Sequence, residues 1–327
     1  MPRHATNAEL AQILTSRAQL IDAGATAREI SARIRGGELS VVRRGWFAES
    51  TVVGELWPES RHLLHVMAVV RDGHGTGVLS HLSAAVLHGL PLYRLRPARV
   101  HLTTGAPTRI ASGPDVFRHV APLPPTDVTI VDGLACTTLE RTVFDCARTL
   151  PLEAGVSIAD AAERVMALGG REWDQGASDR WRRGLRDRVE RATGARGIRA
   201  ARFLADFSNG KAQLPLESVS RLQLHRLGFR AVRLQIPIAA PGAGTYFVDL
   251  GLDEVKTFAE CDGEAKYRDE AMRSGRSLEQ VLLDEKARED WIRGTTGWRM
   301  IRWGDRPARS SQALAILLRS FGIPLPA

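Results

Sequence analysis

Asp249 and, eleven residues later, Glu260-Cys261-Asp262-Gly263 are the residues of this chain whose types and spacing best suit chemistry. Each closes a stretch with the alternating pattern of a strand, so period-two geometry puts Glu260 and Asp262 on one sheet face and Cys261 on the other. If the two strands pair as a hairpin, Asp249 joins them in a carboxylate cluster. Like charges held together need a cation, and a hard ion such as Mg²⁺ on a few carboxylates suits phosphodiester hydrolysis. A local reading competes. Glu217, farther upstream, is also a first-turn acid favoured by a helix dipole, and Asp249 and Asp262 also suit turn caps.

The elements that must hold these residues are readable between 213 and 327. A helix over 215–227 stops at Gly228, and strands follow at 231–238, 245–250 and 256–262. Next come a helix over 277–291 capped by Ser277 and Gln280, a strand over 298–303 and a last helix near 310–321. Helix, three strands, helix, strand, helix is the order of a compact α/β domain with a mixed sheet.

Glu217 in the leading helix, Asp249, Glu260-Cys261-Asp262-Gly263 and the strand Gly297-Trp298-Arg299-Met300-Ile301-Arg302-Trp303 together resemble the PD-(D/E)xK nuclease superfamily. They are most similar to its very-short-patch-repair-like branch. The resemblance covers about a third of the chain and implies a restriction-endonuclease-like fold. It also implies Asp249 and Glu260 as Mg²⁺ ligands, Glu217 completing the site and Asp262 supporting it. Where the family pattern carries a histidine four residues after that Asp, this chain has Lys266, and the Glu-x-Lys of the wider superfamily is absent because Asp262 fills the lysine slot. Lys266 suits a group that orients water or steadies phosphate; the lost histidine equally suits a domain that keeps the fold without the activity. Arg268, Lys286, Arg288 and Arg302 are candidates for phosphate contact or for pairing with Glu264, Asp284, Glu285 and Glu289.

A second constellation lies at the amino terminus. Leu10, Ile13, Leu14, Leu20 and Ile21 keep a helical rhythm up to Gly24, a second helix runs over 25–35 to Gly36-Gly37, and 39–47 reads as two short strands around a turn. Helix, turn, helix and hairpin over 1–60 is the order of a small winged helix-turn-helix. Such a unit would set Thr26, Arg28, Glu29, Arg33 and Arg35 near DNA, with Arg43 and Arg44 on the wing. Small winged helices also serve as protein-interaction modules. From 61 to 165 the pattern is mixed α/β: a short helix at 80–88, strands at 100–104, 116–120 and 128–131, an Asp132-Gly133 turn, and a helix over 139–150 opened by a Thr137 and Glu140 capping box.

Gly36-Gly37-Glu38-Leu39 to Arg44-Gly45-Trp46-Phe47, His81-Leu82-Ser83-Ala84-Ala85 to Gly89-Leu90, and Thr137-Thr138-Leu139-Glu140-Arg141-Thr142 to Asp145 resemble the AbiEi-type antitoxins of bacterial type IV toxin-antitoxin systems. The resemblance covers roughly residues 5 to 165. It implies a DNA-binding autoregulator, with double-stranded DNA and an operon-linked nucleotidyltransferase toxin as partners.

Composition frames both readings. The 327 residues carry a net charge of +8, and only four of the 45 cations are lysine. By segment the net charge is 0 over 1–60, +1 over 61–165, +5 over 166–212 and +2 over 213–327. The excess therefore lies in a polar stretch, 166–212, that reads as a linker with one or two exposed helices anchored by Trp173 and Trp181. Arg180, Arg182, Arg183, Arg186, Arg188, Arg191, Arg196, Arg199 and Arg202 would make it a strap tracking phosphates without regard to sequence. The three cysteines form no CxxC, which argues against zinc and disulfide frameworks and for a reduced, cytoplasmic setting. No apolar run approaches the about 18 residues of a spanning helix, so no membrane partner is expected. His81 and His88 share a helical face without a partner acid and read as packing residues. The expectation is an α+β multidomain protein that binds DNA as a transcriptional regulator or antitoxin, with a Mg²⁺-dependent endonuclease as the alternative.

Overall fold

Thr6, Ser16 and Thr26 each stand three residues before a Glu or Gln, and each forms a reciprocal capping box that starts a helix. These caps cut the amino-terminal apolar rhythm into pieces. The structure, a computed structural model describing residues 5–73, 77–105, 112–170, 172–261 and 278–326, begins with α1 (Asn7–Ile13), β1 (Thr15–Ser16), α2 (Arg17–Asp22) and α3 (Ala27–Arg35). The single rhythm expected from Leu10 to Ile21 is thus broken. Ser16 caps α2 while Thr15 and Ser16 pair with Phe47 and Trp46. Next come β2 (Leu39–Arg43), β3 (Trp46–Glu49), α4 (Ser50–Glu55) and α5 (Pro58–Arg71), and the first three strands form an antiparallel sheet in the order β1-β3-β2. Ile30 of α3 is fully buried against Leu39 and Phe47 of the hairpin.

The chain divides into two compact units, one made of 1–158 and 183–205, the other of 159–182 and 206–327. Both are α+β. The first continues with β4 (Val78–Leu79), α6 (His81–Leu87), β5 (Val100–Thr104), β6 (Val116–Val120), β7 (Val128–Val131), β8 (Leu134–Thr137) and α7 (Leu139–Thr149). Its second sheet is mixed, in the order β6-β5-β4-β8-β7. Asp132 and Gly133, both at positive φ, make the expected tight turn between β7 and β8. The cap of α7 falls one residue later than expected: Thr138 accepts the Arg141 N–H, while Thr137 belongs to the strand.

Helices and a short strand pair occupy the stretch expected to be a linker. After α8 (Leu152–Ala167) and the pair β9 (Leu168–Gly169) and β10 (Glu172–Trp173), α9 (Gln175–Arg191) and α10 (Ile198–Phe207) follow. Trp181, Leu185, Val189, Ala201 and Leu204 are buried, so these helices are parts of the two units. The strap expectation is narrowed, seven of its nine arginines being exposed. Arg182 bonds Glu163 at 3.0 Å, and Arg188 bonds Asp127 at 2.6 Å and Glu140 at 2.7 Å, so two of its nine arginines are committed to internal carboxylates.

The second unit adds α11 (Pro215–Arg226), β11 (Val232–Ala239), β12 (Thr245–Leu252), β13 (Thr257–Cys261), α12 (Leu278–Thr296), β14 (Arg299–Trp303), α13 (Asp305–Ala308) and α14 (Ser311–Ser320). The strands lie in sequence order, antiparallel twice and then parallel between β13 and β14. Leu224, Leu250, Ala259, Trp303 and Leu318 fill one cluster, and Ile236, Val248, Phe258 and Ile292 a second. Among the described residues no helix is long and apolar enough to cross a membrane.

The first unit encloses a buried charge network. Arg141 bonds Asp145 at 2.8 Å and Asp127 at 2.7 Å, and Arg188 takes the other oxygen of Asp127. Burial alone would raise the Asp127 carboxyl, but the bonds and charge of Arg188 and Arg141 hold it below its ordinary range. Arg141→Ala should therefore destabilise this unit by about 3–5 kcal/mol, the cost of stranding a buried carboxylate. Urea unfolding followed by circular dichroism measures it, and a loss under about 1 kcal/mol, as for a surface pair, would contradict the network's role.

Candidate functional site

Glu217 sits in the first turn of α11, 2% exposed, where Pro215 opens the helix. One of its oxygens accepts the Gln213 backbone N–H and the Gln235 side-chain amide, each at 3.0 Å. The same amide lies 3.4 Å from Asp249 Oδ1, and Asp249 Oδ2 accepts the Cys261 N–H at 2.9 Å. Antiparallel pairing of β12 with β13 runs from Leu252 and Thr257 to Leu250 and Ala259, so Asp249 and Glu260 each stand one residue beyond the last pair. The expected hairpin thus brings Glu217, Asp249 and Glu260 onto neighbouring elements. Asp262 and Lys266 lie outside the described residues.

Gln235 is the member that sequence reasoning missed. It stands on β11 opposite Asp249 with φ at +48°, a left-handed conformation that costs a non-glycine residue about 1–3 kcal/mol. Leu234 and Leu250 belong to one apolar cluster, Ile236 and Val248 to the other, so both strands change face together at this pair. The only sequence signal was a polar residue inside an apolar alternation.

Glu260 meets cations of the protein itself. Its Oε1 lies 2.6 Å from Arg288 and its Oε2 2.6 Å from Arg302, which stands beside it in the parallel register and also bonds Glu285. Both oxygens therefore face guanidinium groups, and both Asp249 oxygens accept N–H donors. Two neighbouring positive charges and occupied lone pairs do not fit a Mg²⁺ ion on Asp249 and Glu260 as these residues stand.

In the amino-terminal unit, Thr26 and Glu29 close the capping box of α3, and the bonds from Thr26 hold the Glu29 carboxyl below its ordinary range. Arg28 and Arg35 are exposed on α3, and Arg44 is exposed beside Gly45 at the hairpin turn. Arg33 pairs with Glu49 at 2.7 Å and Glu38 at 3.4 Å. Arg43 departs from expectation: it is almost buried, bonded to Asp72 and Asp115, with the Trp46 indole N–H also on Asp72. It braces the hairpin and leaves the wing's exposed charge to Arg44.

The two helical histidines also part company. His88 reaches the Thr137 carbonyl at 2.8 Å, whereas His81 faces His101 and His119. Spacing along the chain could not bring those three together, because they come from α6, β5 and β6.

No family model matches the chain. Two uncharacterized proteins of Mycobacterium tuberculosis, one from each of two strains, are 26% identical to it over 236 residues, spanning 72% of this chain and 78% of theirs.

If Gln235 bridges the two carboxylates, Gln235→Ala should cost about 1–3 kcal/mol in denaturant unfolding, since charged acceptors lose a shared donor. Gln235→Gly removes the same amide but relieves the positive φ, and should cost less. Equal stability of wild type and Gln235→Ala would show that the amide holds nothing.

Proposed function

We propose that this chain is a DNA-binding transcriptional autoregulator of the antitoxin type, with 1–60 acting as a winged helix-turn-helix and the carboxy-terminal residues as a nuclease-like domain that assists DNA or partner contact. The observation that carries this reading is the element order helix, strand, helix, helix, strand, strand with a β1-β3-β2 sheet. It is the arrangement in which a third helix braced by a hairpin offers its outer side to the major groove. Arg28 and Arg35 on that side and Arg44 on the hairpin are exposed and suited to phosphate or base contact. Thr26 and Glu29 fix the helix start, and Arg43 fixes the hairpin from behind. The middle segment's likeness to AbiEi-type antitoxins supports an operon-linked nucleotidyltransferase as the toxin partner.

A Mg²⁺-dependent endonuclease is the second reading, favoured by Glu217, Asp249 and Glu260 standing on neighbouring elements, with the Gln235 amide between the first two. The guanidinium groups of Arg288 and Arg302 on Glu260 count against it.

Binding to the chain's own promoter, followed by mobility shift over a salt series, tests the first reading. Joint replacement of Arg28, Arg35 and Arg44 by alanine should weaken binding and flatten the plot of log affinity against log salt by about 0.9 for each phosphate left unneutralised. Arg43→Ala should lower stability instead. Equal affinity for promoter and random duplex would overturn the regulator, and plasmid cleavage with Mg²⁺ or Mn²⁺ that Glu260→Ala abolishes would establish the enzyme.

A further inference from the structure

His81, His101 and His119 present ring nitrogens that all lie within 4.8 Å of one another, the group among the described residues whose side chains converge in this way. The topology explains the meeting. His101 shares a face of β5 with Thr103, and the parallel register pairs Thr103 with His119 on β6, which puts the two histidines on one diagonal of one face. Ser80, just before α6, donates its backbone N–H to the His101 carbonyl at 3.0 Å. This seats His81 over the pair.

The contacts gather the nitrogens of the three rings. His101 Nδ1 and His119 Nε2 are 2.9 Å apart, close enough to share a proton, and the His81 ring stacks on His119 at 3.6 Å between centroids. The Ser80 hydroxyl, itself bonded by Thr103, takes His81 Nδ1 at 3.0 Å, which orients the ring from outside and leaves Nε2 to face its neighbours.

Packing alone explains this poorly. Three imidazoles brought together give up water and return one mutual hydrogen bond, where apolar residues would pack without that cost. His81 also holds φ at +49°, a strained backbone for a histidine beginning a helix. Burial, then the charge of neighbouring groups, lowers the rings to about 2 for His81 and about 4 for His101 and His119, so all three are neutral bases near pH 7. Arg99, a cation whose charge bears on His101 and His119, is held over the Phe117 ring at 4.6 Å.

We infer that His81, His101 and His119 form a binding site for a divalent transition-metal ion of the Zn²⁺ class, with a fourth position open to water or an outside ligand. Ligand nitrogens around tetrahedral zinc stand about 3.3 Å apart, given bonds of about 2.0–2.1 Å. The 2.9 Å pair must separate slightly, and His81, stacked on His119 at an interplanar angle of 12°, must turn its ring toward the same point. Once the shared proton moves to the far nitrogen of its own ring, which keeps every imidazole neutral, an ion would take a lone pair from all three residues at once. All-nitrogen ligation selects zinc, cobalt, nickel or copper over magnesium and calcium, which take oxygen.

The test is titration of the metal-stripped full chain with Co²⁺, read by visible d–d absorption. One equivalent should give the intense bands of a near-tetrahedral ion, Zn²⁺ should displace it stoichiometrically, and excess Mg²⁺ should not. His119→Gln and His101→Ala should weaken binding beyond the about 10–100-fold that an outer-shell change costs, while His88→Gln leaves it unchanged. Far-ultraviolet circular dichroism certifies each variant as folded. Absence of saturable bands in the wild-type chain overturns the site whatever the variants do. So does Co²⁺ binding that folded His101→Ala and His119→Gln retain, or displacement by Mg²⁺.

Discussion

A carboxylate taken out of water must meet a cation or take up a proton, and in this chain the cation is arginine. Asp127 and Asp145 share Arg141, with Arg188 closing on Asp127; Asp160 takes Arg221 at 3.0 Å; Glu163 takes Arg182; Glu260 takes Arg288 and Arg302. The guanidinium suits this task better than an ammonium. Its planar fork reaches two acceptors at once, so one arginine joins strands and helices far apart in sequence. Arg221 does this from a helix interior, bonding Asp160 and the Phe207 carbonyl with its two terminal nitrogens.

That use of arginine changes what the positive charge means. An excess of +5 over 166–212 reads, on composition, as a surface for polyanions. In the folded chain Arg182 and Arg188 are structural, and the exposed arginines of α9 and α10 carry what remains of the field. The amino-terminal unit is electrically neutral over 1–60, yet its geometry leaves Arg28, Arg35 and Arg44 outward while Arg43 turns in. Position on an element decides function here more than the count does.

The carboxy-terminal elements were readable because helical and alternating patterns there are long and unbroken, from α11 through β13. The pairing of β12 with β13 followed from two alternating stretches close in sequence. What could not be read was conformation at single residues. Gln235 takes a left-handed φ that no residue preference announces, and the capping boxes that split Leu10–Ile21 compete with a helical rhythm that is itself genuine. Arg288 and Arg302 were visible as cations near acids, but the choice of Glu260 by Arg302 needed the parallel β13–β14 register, which joins residues more than forty positions apart.

The histidine trio and the carboxylate group carry opposite solutions to one problem. Glu260 is a negative group already neutralised by guanidinium, so an incoming dication there would have to displace two positive charges and leave Glu260 shared among too many cations. His81, His101 and His119 hold no charge to neutralise, and their ring nitrogens lie within 4.8 Å of one another. An ion entering there requires only that the shared proton move to the far nitrogen of its own ring. A borderline dication would gain three neutral ligands there, working against the charge of Arg99, Arg141 and Arg148, whereas a hard one at Glu260 would contend with guanidinium groups bonded directly to its ligand.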